Sequence, residues 1–231
     1  MAESREQAQR LIRAGQVFSG GRMETKPGKL ILDDAAIEVK RLPRFVSRGG
    51  EKLEGAFEAF GLNVGGSVCL DVGASTGGFT DCLLQRGAAK VYAVDVGRGQ
   101  LHWKLRTDPR VVVMEGVNAR YLKAGDLPEA IAFAVVDVAF ISLTIVLPAV
   151  IRLLNRRADI VTLIKPQFEA GRRQVGKGGV VRDPAVRAEV VEKMRLFGTG
   201  TLNLEWLGVC ESPLEGPAGN VEFLAYWRWN R

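Results

Sequence analysis

Histidine occurs once in this chain of 231 residues, at His102, and cysteine three times, at Cys69, Cys82 and Cys210. One histidine cannot supply a zinc site or a Ser-His-Asp arrangement, and the three scattered cysteines lack metal-ligand spacing, so no metal is expected. Cys69 and Cys82 fall in apolar strand and helix patterns and read as buried, reduced thiols. No apolar run reaches membrane-spanning length, and no long amphipathic cationic segment of the membrane-lytic kind is visible. Met1 leads into charged and polar residues rather than a secretory pattern. A cytoplasmic protein without a membrane partner is the expectation.

What is present is basic charge, unevenly placed. The net charge is +6, and residues 1–48 hold ten Lys or Arg against six Asp or Glu. A solvated basic face would account for this, but so would a polyanionic partner.

The most informative stretch is Ser67 to Phe79, SVCLDVGASTGGF. Val68, Cys69 and Leu70 read as a buried strand that stops at Asp71. A turn follows through Gly73, Ala74, Ser75, Gly77 and Gly78, and a helical pattern begins at Phe79. Glycines permit positive φ and close approach of a ligand to the main chain, and a helix start offers unpaired N–H groups. The order Asp71-x-Gly73-x-x-x-Gly77-Gly78 departs from the dinucleotide pattern G-x-G-x-x-G, which disfavours a pyrophosphate. A second strand, Lys90 to Val94, ends at Asp95, where α/β nucleotide sites place a ribose-binding carboxylate. Asp71 near a sulfonium and Asp95 on a ribose suit S-adenosylmethionine, a cation without phosphates. Taken alone, the glycines also fit an ordinary tight turn.

Further strands follow at Arg110 to Glu115, Ala132 to Val136 (ending at Asp137) and Asp159 to Ile164 (ending at Lys165). Asn118, just past the third strand, is a candidate contact to adenine. Buried parallel strands that end in charge place it at the carboxyl edge, where open α/β sheets bind ligands. The spacing predicts helices over 53–60, 147–154 with Pro148 in the first turns, and 184–197. Two closing strands lie over 202–210 and 220–229, with Glu222 early in the second. Pro166 to Asp183 is glycine-rich and basic and reads as a mobile lid. The fold class is therefore α/β: a Rossmann-like, mostly parallel sheet with one antiparallel strand.

A small α+β module precedes it. Ser4 and Gln7 have capping-box spacing ahead of Ala8, Leu11 and Ile12, and Gly15 ends that helix. Gln16 to Phe18, Leu30 to Leu32 and Ile37 to Val39 read as short strands, with Gly20-Gly21 as a hairpin turn. Arg5, Arg10 and Arg13 share the helix and could meet phosphates, although surface charge explains each singly. The order SREQAQRLIRAGQVFSGGR, KPG, IEVK resembles the later part of an S4-type RNA-binding domain, a family whose pattern carries a further helix ahead of this point. The boundaries are a partial S4-like module over 1–40, a linker over 41–46 around Pro43, and the α/β domain over 47–231.

Lys52, Asp137, Lys165 and Glu222, with DVGASTGGF and LIKPQFE around them, resemble the FtsJ-type ribose 2′-O-methyltransferases. Joined to the S4-like start and to SRGGEKL and QVGKGGVVRD, the chain is similar to the TlyA family of ribosomal RNA cytidine 2′-O-methyltransferases, sometimes labelled hemolysins. The resemblance implies a cytidine-directed methyltransferase with S-adenosylmethionine as methyl donor and ribosomal RNA in ribosomal subunits as partner, with Arg48, Arg172, Arg173 and Lys177 joining the RNA contacts. It also implies that Lys52, Asp137, Lys165 and Glu222 form the catalytic set. A ribose hydroxyl is a poor nucleophile, so a base must take its proton. Lysine serves only when neutral, which desolvation and a neighbouring like charge favour. We expect Lys165 to be that base, with the carboxylates orienting Lys52 and the ribose and Asp137 also near the methyl donor. A non-catalytic RNA-binding module remains the alternative, with no reason to keep Asp71, Asp95 and the four together; a membrane-active hemolysin is disfavoured.

Overall fold

A computed structural model of the chain describes residues 2, 4–13, 15–40 and 44–231, which divide into two compact units between residues 44 and 45. Residues 41–43 of the expected linker lie outside the described residues.

The first unit comprises α1 (Arg5–Arg13), β1 (Val17–Ser19), β2 (Arg22–Glu24) and β3 (Ile37–Val39). Ser4 Oγ accepts the Gln7 N–H at 3.1 Å, capping α1. β1 is central and antiparallel to both neighbours. Gly20 and Gly21, both at positive φ, make the two-residue hairpin. The strand expected at Leu30–Leu32 is absent: β2, formed by residues not expected to be a strand, and β3 fill both edges of β1. Leu30 and Leu32 stand 96% and 78% exposed. No described residue of 2–40 is buried.

The second unit is one seven-stranded sheet. Its strands are β4 (Val68–Val72), β5 (Lys90–Asp95), β6 (Val111–Glu115), β7 (Ile131–Val136), β8 (Leu154–Ile164), β9 (Glu205–Glu211) and β10 (Phe223–Asn230). They lie in the order β6-β5-β4-β7-β8-β10-β9. β10 runs antiparallel to both β8 and β9, and the remaining pairings are parallel. Alternation along the strands separates two cores. Cys69, Val91, Phe133, Val135, Val161 and Leu224 face α2 (Gly49–Phe60) and α3 (Gly78–Gln85). Leu70, Tyr92, Val136, Ile160 and Trp227 face the other way, with α5 (Leu143–Ile151) and α7 (Pro184–Leu202); between α3 and α5 comes the short α4 (Trp103–Arg106). Each large side chain so buried contributes roughly 1.5–3 kcal/mol.

Three helices differ from their expected spans. α2 starts at Gly49, four residues ahead of the expected start. α5 starts at Leu143, capped by Ser142, whose hydroxyl accepts the Thr144 N–H at 3.1 Å, so Pro148 is interior and removes one backbone bond. α7 continues past Gly198 to Leu202. At Gly198 a Cβ would lie 2.2 Å from Trp227 Cζ3, so the glycine serves close packing rather than ending the helix. No helix among the described residues is long and apolar enough to cross a membrane.

Candidate active site

The strand order reverses where β5 and β7 flank β4, and the loops leaving β4 and β7 meet there. The Asp137 N–H bonds to the Val72 carbonyl at 2.9 Å, and Gly73, at φ +86°, crosses so close that a Cβ would fall 2.1 Å from the Asp137 carbonyl oxygen. Only glycine meets both conditions. Gly73 and Ala74 donate to the Val94 carbonyl, and Ser75, itself at φ +49°, donates its N–H to Asp95 Oδ2 at 2.8 Å. Asp95 Oδ1 takes the Gly97 N–H at 2.7 Å. The β4 loop is thereby folded onto the end of β5.

Two cavities open at this edge. The larger, about 570 Å³, is lined by Gly73, Ser75, Asp95, Gln100 and Asn118, by the apolar Val96, Val117, Ile141 and Val146, and by Asp137 and Lys165. The smaller, about 250 Å³, is lined by Arg48, Lys52, Ala74, Gly78, Pro217 and Glu222, and shares Gly73, Ser75, Asp137 and Lys165 with the first. The shared residues form a junction between the two.

Four charged side chains from distant parts of the chain gather here. Lys52, on the first turn of α2, extends to Glu222 Oε2 at 2.5 Å, both residues being buried. A cation at a helix start opposes the dipole, and here it is matched by a carboxylate 170 residues away. Lys165 Nζ lies 2.5 Å from Asp137 Oδ1, and this pair is more open, at 14% and 21% side-chain exposure. The structure pairs each amine with an acid.

Asp71 is a different case from the expectation. It lines neither cavity and is fully buried beneath the loop, with Oδ2 accepting the Thr80 hydroxyl at 2.6 Å and Oδ1 without a partner. Burial pushes its pKa up to about 7, with the Asp137 and Asp95 carboxylates adding to the rise and the Thr80 hydroxyl opposing it. Asp71 is thus set back from both cavities. Gly77 also lines neither cavity; a Cβ there would meet Leu105 at 2.2 Å, so it serves the packing of α3. Ala74 and Gly78 belong to the smaller cavity, not the larger.

Of the expected RNA contacts, Arg48 lines the smaller cavity. Arg172, Arg173 and Lys177 are exposed and line neither, and Arg5, Arg10 and Arg13 are exposed on α1 of the other unit. The expected lid is tied at several points. Its start forms α6 (Pro166–Glu169), where buried Glu169 accepts from Ser142 Oγ at 2.6 Å and the Leu143 N–H at 2.7 Å. Its end is held by Asn220, which accepts the Val181 N–H at 3.0 Å.

Several contributors went unread in the sequence. Gln100 and Phe140 line the larger cavity, and Phe140 is 92% exposed at φ +63° with its ring 5.2 Å from that of Phe168. Glu115, at the end of β6, accepts the N–H groups of Gly99, Gln100 and Leu101 and pairs with Arg106, fixing the loop that carries Gln100. These contacts hold its carboxyl at about 2. A non-glycine residue forced to positive φ has no sequence signature, and neither has an acid that anchors a loop through backbone N–H groups.

The model of the FtsJ-like methyltransferase family matches residues 45–229. The chain is 50% identical over 232 residues, 99% of its own length and 85% of the relative's, to the 16S/23S rRNA (cytidine-2′-O)-methyltransferase TlyA of Mycobacterium tuberculosis. It is 46% identical over 228 residues, 97% of its length and 94% of the relative's, to Hemolysin A of Brachyspira hyodysenteriae. A solved structure from Streptococcus thermophilus, carrying a provisional hemolysin assignment, superposes with a TM-score of 0.80 at 45% identity and covers 99% of this chain and 84% of that one.

Proposed function

The chain belongs to the FtsJ-like methyltransferase family, and from that premise we propose that it transfers a methyl group from S-adenosylmethionine to the 2′-hydroxyl of a cytidine ribose in ribosomal RNA. The observation that carries this reading is the junction: one cavity suited to the donor and one suited to the acceptor meet at Asp137 and Lys165.

The residues present fit the donor. The larger cavity has the size of a small-molecule site, its apolar walls suit a purine, and Asp95 and Asn118 offer oxygens to hydroxyl and amine donors. Gly73 holds the main chain closer to Asp137 than any side chain would allow. Asp95, Asn118 and the main chain at Gly73 would hold S-adenosylmethionine, which would supply an electrophilic methyl group on a sulfonium sulfur that keeps the bonding pair when the ribose oxygen takes the methyl.

The chain's own task is to place the hydroxyl and receive its proton. Lys165 Nζ, in both cavities and beside Asp137, is the acceptor of that proton. Lys52, fixed by Glu222, donates to the ribose from the other side. A well-placed general base contributes about 10²–10⁴-fold, and alignment supplies the larger remainder. Phe140 offers an exposed ring on which an unstacked base can lie, and Arg48 a charge for a neighbouring phosphate. We read residues 1–40 as an S4-like module presenting Arg5, Arg10 and Arg13 to RNA, residues 47–231 as the methyltransferase domain, and the protein as cytoplasmic, acting on ribosomal subunits.

The test is to incubate the protein with labelled S-adenosylmethionine and unmodified small and large ribosomal subunits, then map the product. Label on a cytidine 2′-oxygen supports the reading; label on a base, or donor binding with no transfer to either subunit, overturns it.

A further inference from the structure

The segment QVGKGGVVRD lines neither cavity, yet its backbone is closed by hydrogen bonds. The Gly176 N–H donates to the Val180 carbonyl at 3.0 Å and the Gly179 N–H to the Gly176 carbonyl at 3.1 Å, closing a tight turn with Lys177 and Gly178 at its tip. Gly178 and Gly179 sit at φ +80° and +76°, which only glycine adopts without strain. Lys177 is exposed.

Two side chains hold the segment: Arg187 donates to the Val181 and Arg182 carbonyls at 3.0 and 2.9 Å, and Asn220 holds the turn itself. Asn220, 1% exposed, accepts the Val181 N–H on Oδ1 at 3.0 Å and donates Nδ2–H to the Gly179 carbonyl at 2.9 Å. Its own carbonyl accepts the Gly216 N–H at 2.8 Å, and Gly216 lies so close to Glu222 that a Cβ would come 2.5 Å from Oε1. The Glu222 carbonyl in turn accepts from the Ser212 N–H at 2.8 Å. Asn220 thus joins two turns: one tipped by a free-standing lysine, the other wrapped around the carboxylate that holds Lys52.

Resting on the function proposed above, we infer that Asn220 is a positioning residue that locks the Lys177 turn to the Glu222 turn, and that Lys177 takes an RNA phosphate at a fixed distance from the Lys52–Glu222 pair. A flexible lysine adds affinity but no register. A lysine on a glycine turn bolted to the catalytic wall adds both, because phosphate contacts set where the strand lies. The polar atoms Asn220 engages are backbone groups, and a buried amide satisfied on both sides has one geometry in which to stay.

The experiment is a double-mutant cycle of Lys177→Gln and Asn220→Ala, read as KM for RNA, kcat and donor affinity. Asn220→Asp, which keeps the acceptor for Val181 and loses the donor to Gly179, serves as the milder variant. Lys177→Gln should raise KM for RNA several-fold, lower the slope of log affinity against log salt by about one, and leave donor affinity unchanged. Asn220→Ala should raise KM and lower kcat, and in its background Lys177→Gln should add less than about twofold. Additive effects, or an unchanged salt slope for Lys177→Gln, overturn the inference, and the surface variant gives that answer even if Asn220→Ala does not fold. Wild-type protein that transfers no methyl to a ribose would instead sink the underlying function, a separate outcome.

Discussion

The two cavities at the carboxyl edge of the sheet are made of different material. The larger is walled mainly by apolar residues from strand ends, loops and α5, with Asp95 as its own acid; the smaller, at less than half the volume, holds two lysines, two carboxylates and Arg48. An apolar wall with a few polar groups binds a ligand by exclusion of water and orients it. Dense paired charge is poor at binding, since its desolvation offsets its attraction, but it fixes side chains where a proton must move. The same contrast recurs within the charged set. Lys52–Glu222 is shut away from water, whereas Lys165–Asp137 is part open and faces both cavities. On the function proposed, the closed pair fixes Lys52 for the ribose and the open pair is where the proton moves.

The largest effect should come from breaking the closed pair. Glu222→Ala leaves an ammonium buried without its partner, and urea unfolding should show a loss of about 3–5 kcal/mol together with loss of methyl transfer. Asp137→Ala should cost clearly less stability, because water reaches Lys165. Equal losses would erase the distinction between the pairs.

The next effect concerns Asp71 beneath them. Its native pKa of about 7 stands above that of a carboxyl in an unfolded chain, so the native state holds a proton that the unfolded chain releases. The associated stability is complete below about pH 4 and is lost as pH rises through 7, amounting to at most about 4 kcal/mol. Asp71→Asn should flatten the change in unfolding free energy between pH 5 and pH 8. A variant with the wild-type slope would show that Asp71 does not carry the proton.

A smaller effect, confined to the larger cavity, is expected for Asp95→Ala. Loss of charge-assisted bonds worth about 1.5–3 kcal/mol should weaken donor binding about ten- to a hundredfold in a titration, with kcat at saturating donor nearly unchanged. A fall in kcat with intact binding would move Asp95 into the chemistry of the smaller cavity.

What the sequence revealed, and what it concealed, follows the same division. The strands of the second unit were legible because apolar runs such as Val68 to Leu70 and Ile160 to Ile164 are buried on both faces and end abruptly in charge, which also placed Asp95, Asp137 and Lys165 at the ligand edge. Leu30 to Leu32 has the same apolar look, but both edges of β1 are taken by β2 and β3, so its composition misled. The depth of Asp71 was hidden, since a strand-end acid looks alike whether it meets a ligand or lies beneath the loop. Lys52 and Glu222, 170 residues apart, have no local pattern that joins them; only a family resemblance suggested their company. Asn220 and Glu115 stayed unread because each acts on backbone N–H groups, which any sequence supplies.

The most direct test of the account is single-turnover methyl transfer by Lys165→Ala beside wild type, with donor and RNA affinities measured on the same preparations. A drop of about 10²–10⁴-fold in the transfer step with both affinities intact is the predicted result. Transfer at the wild-type rate would contradict the placement of the proton acceptor at the junction of the two cavities.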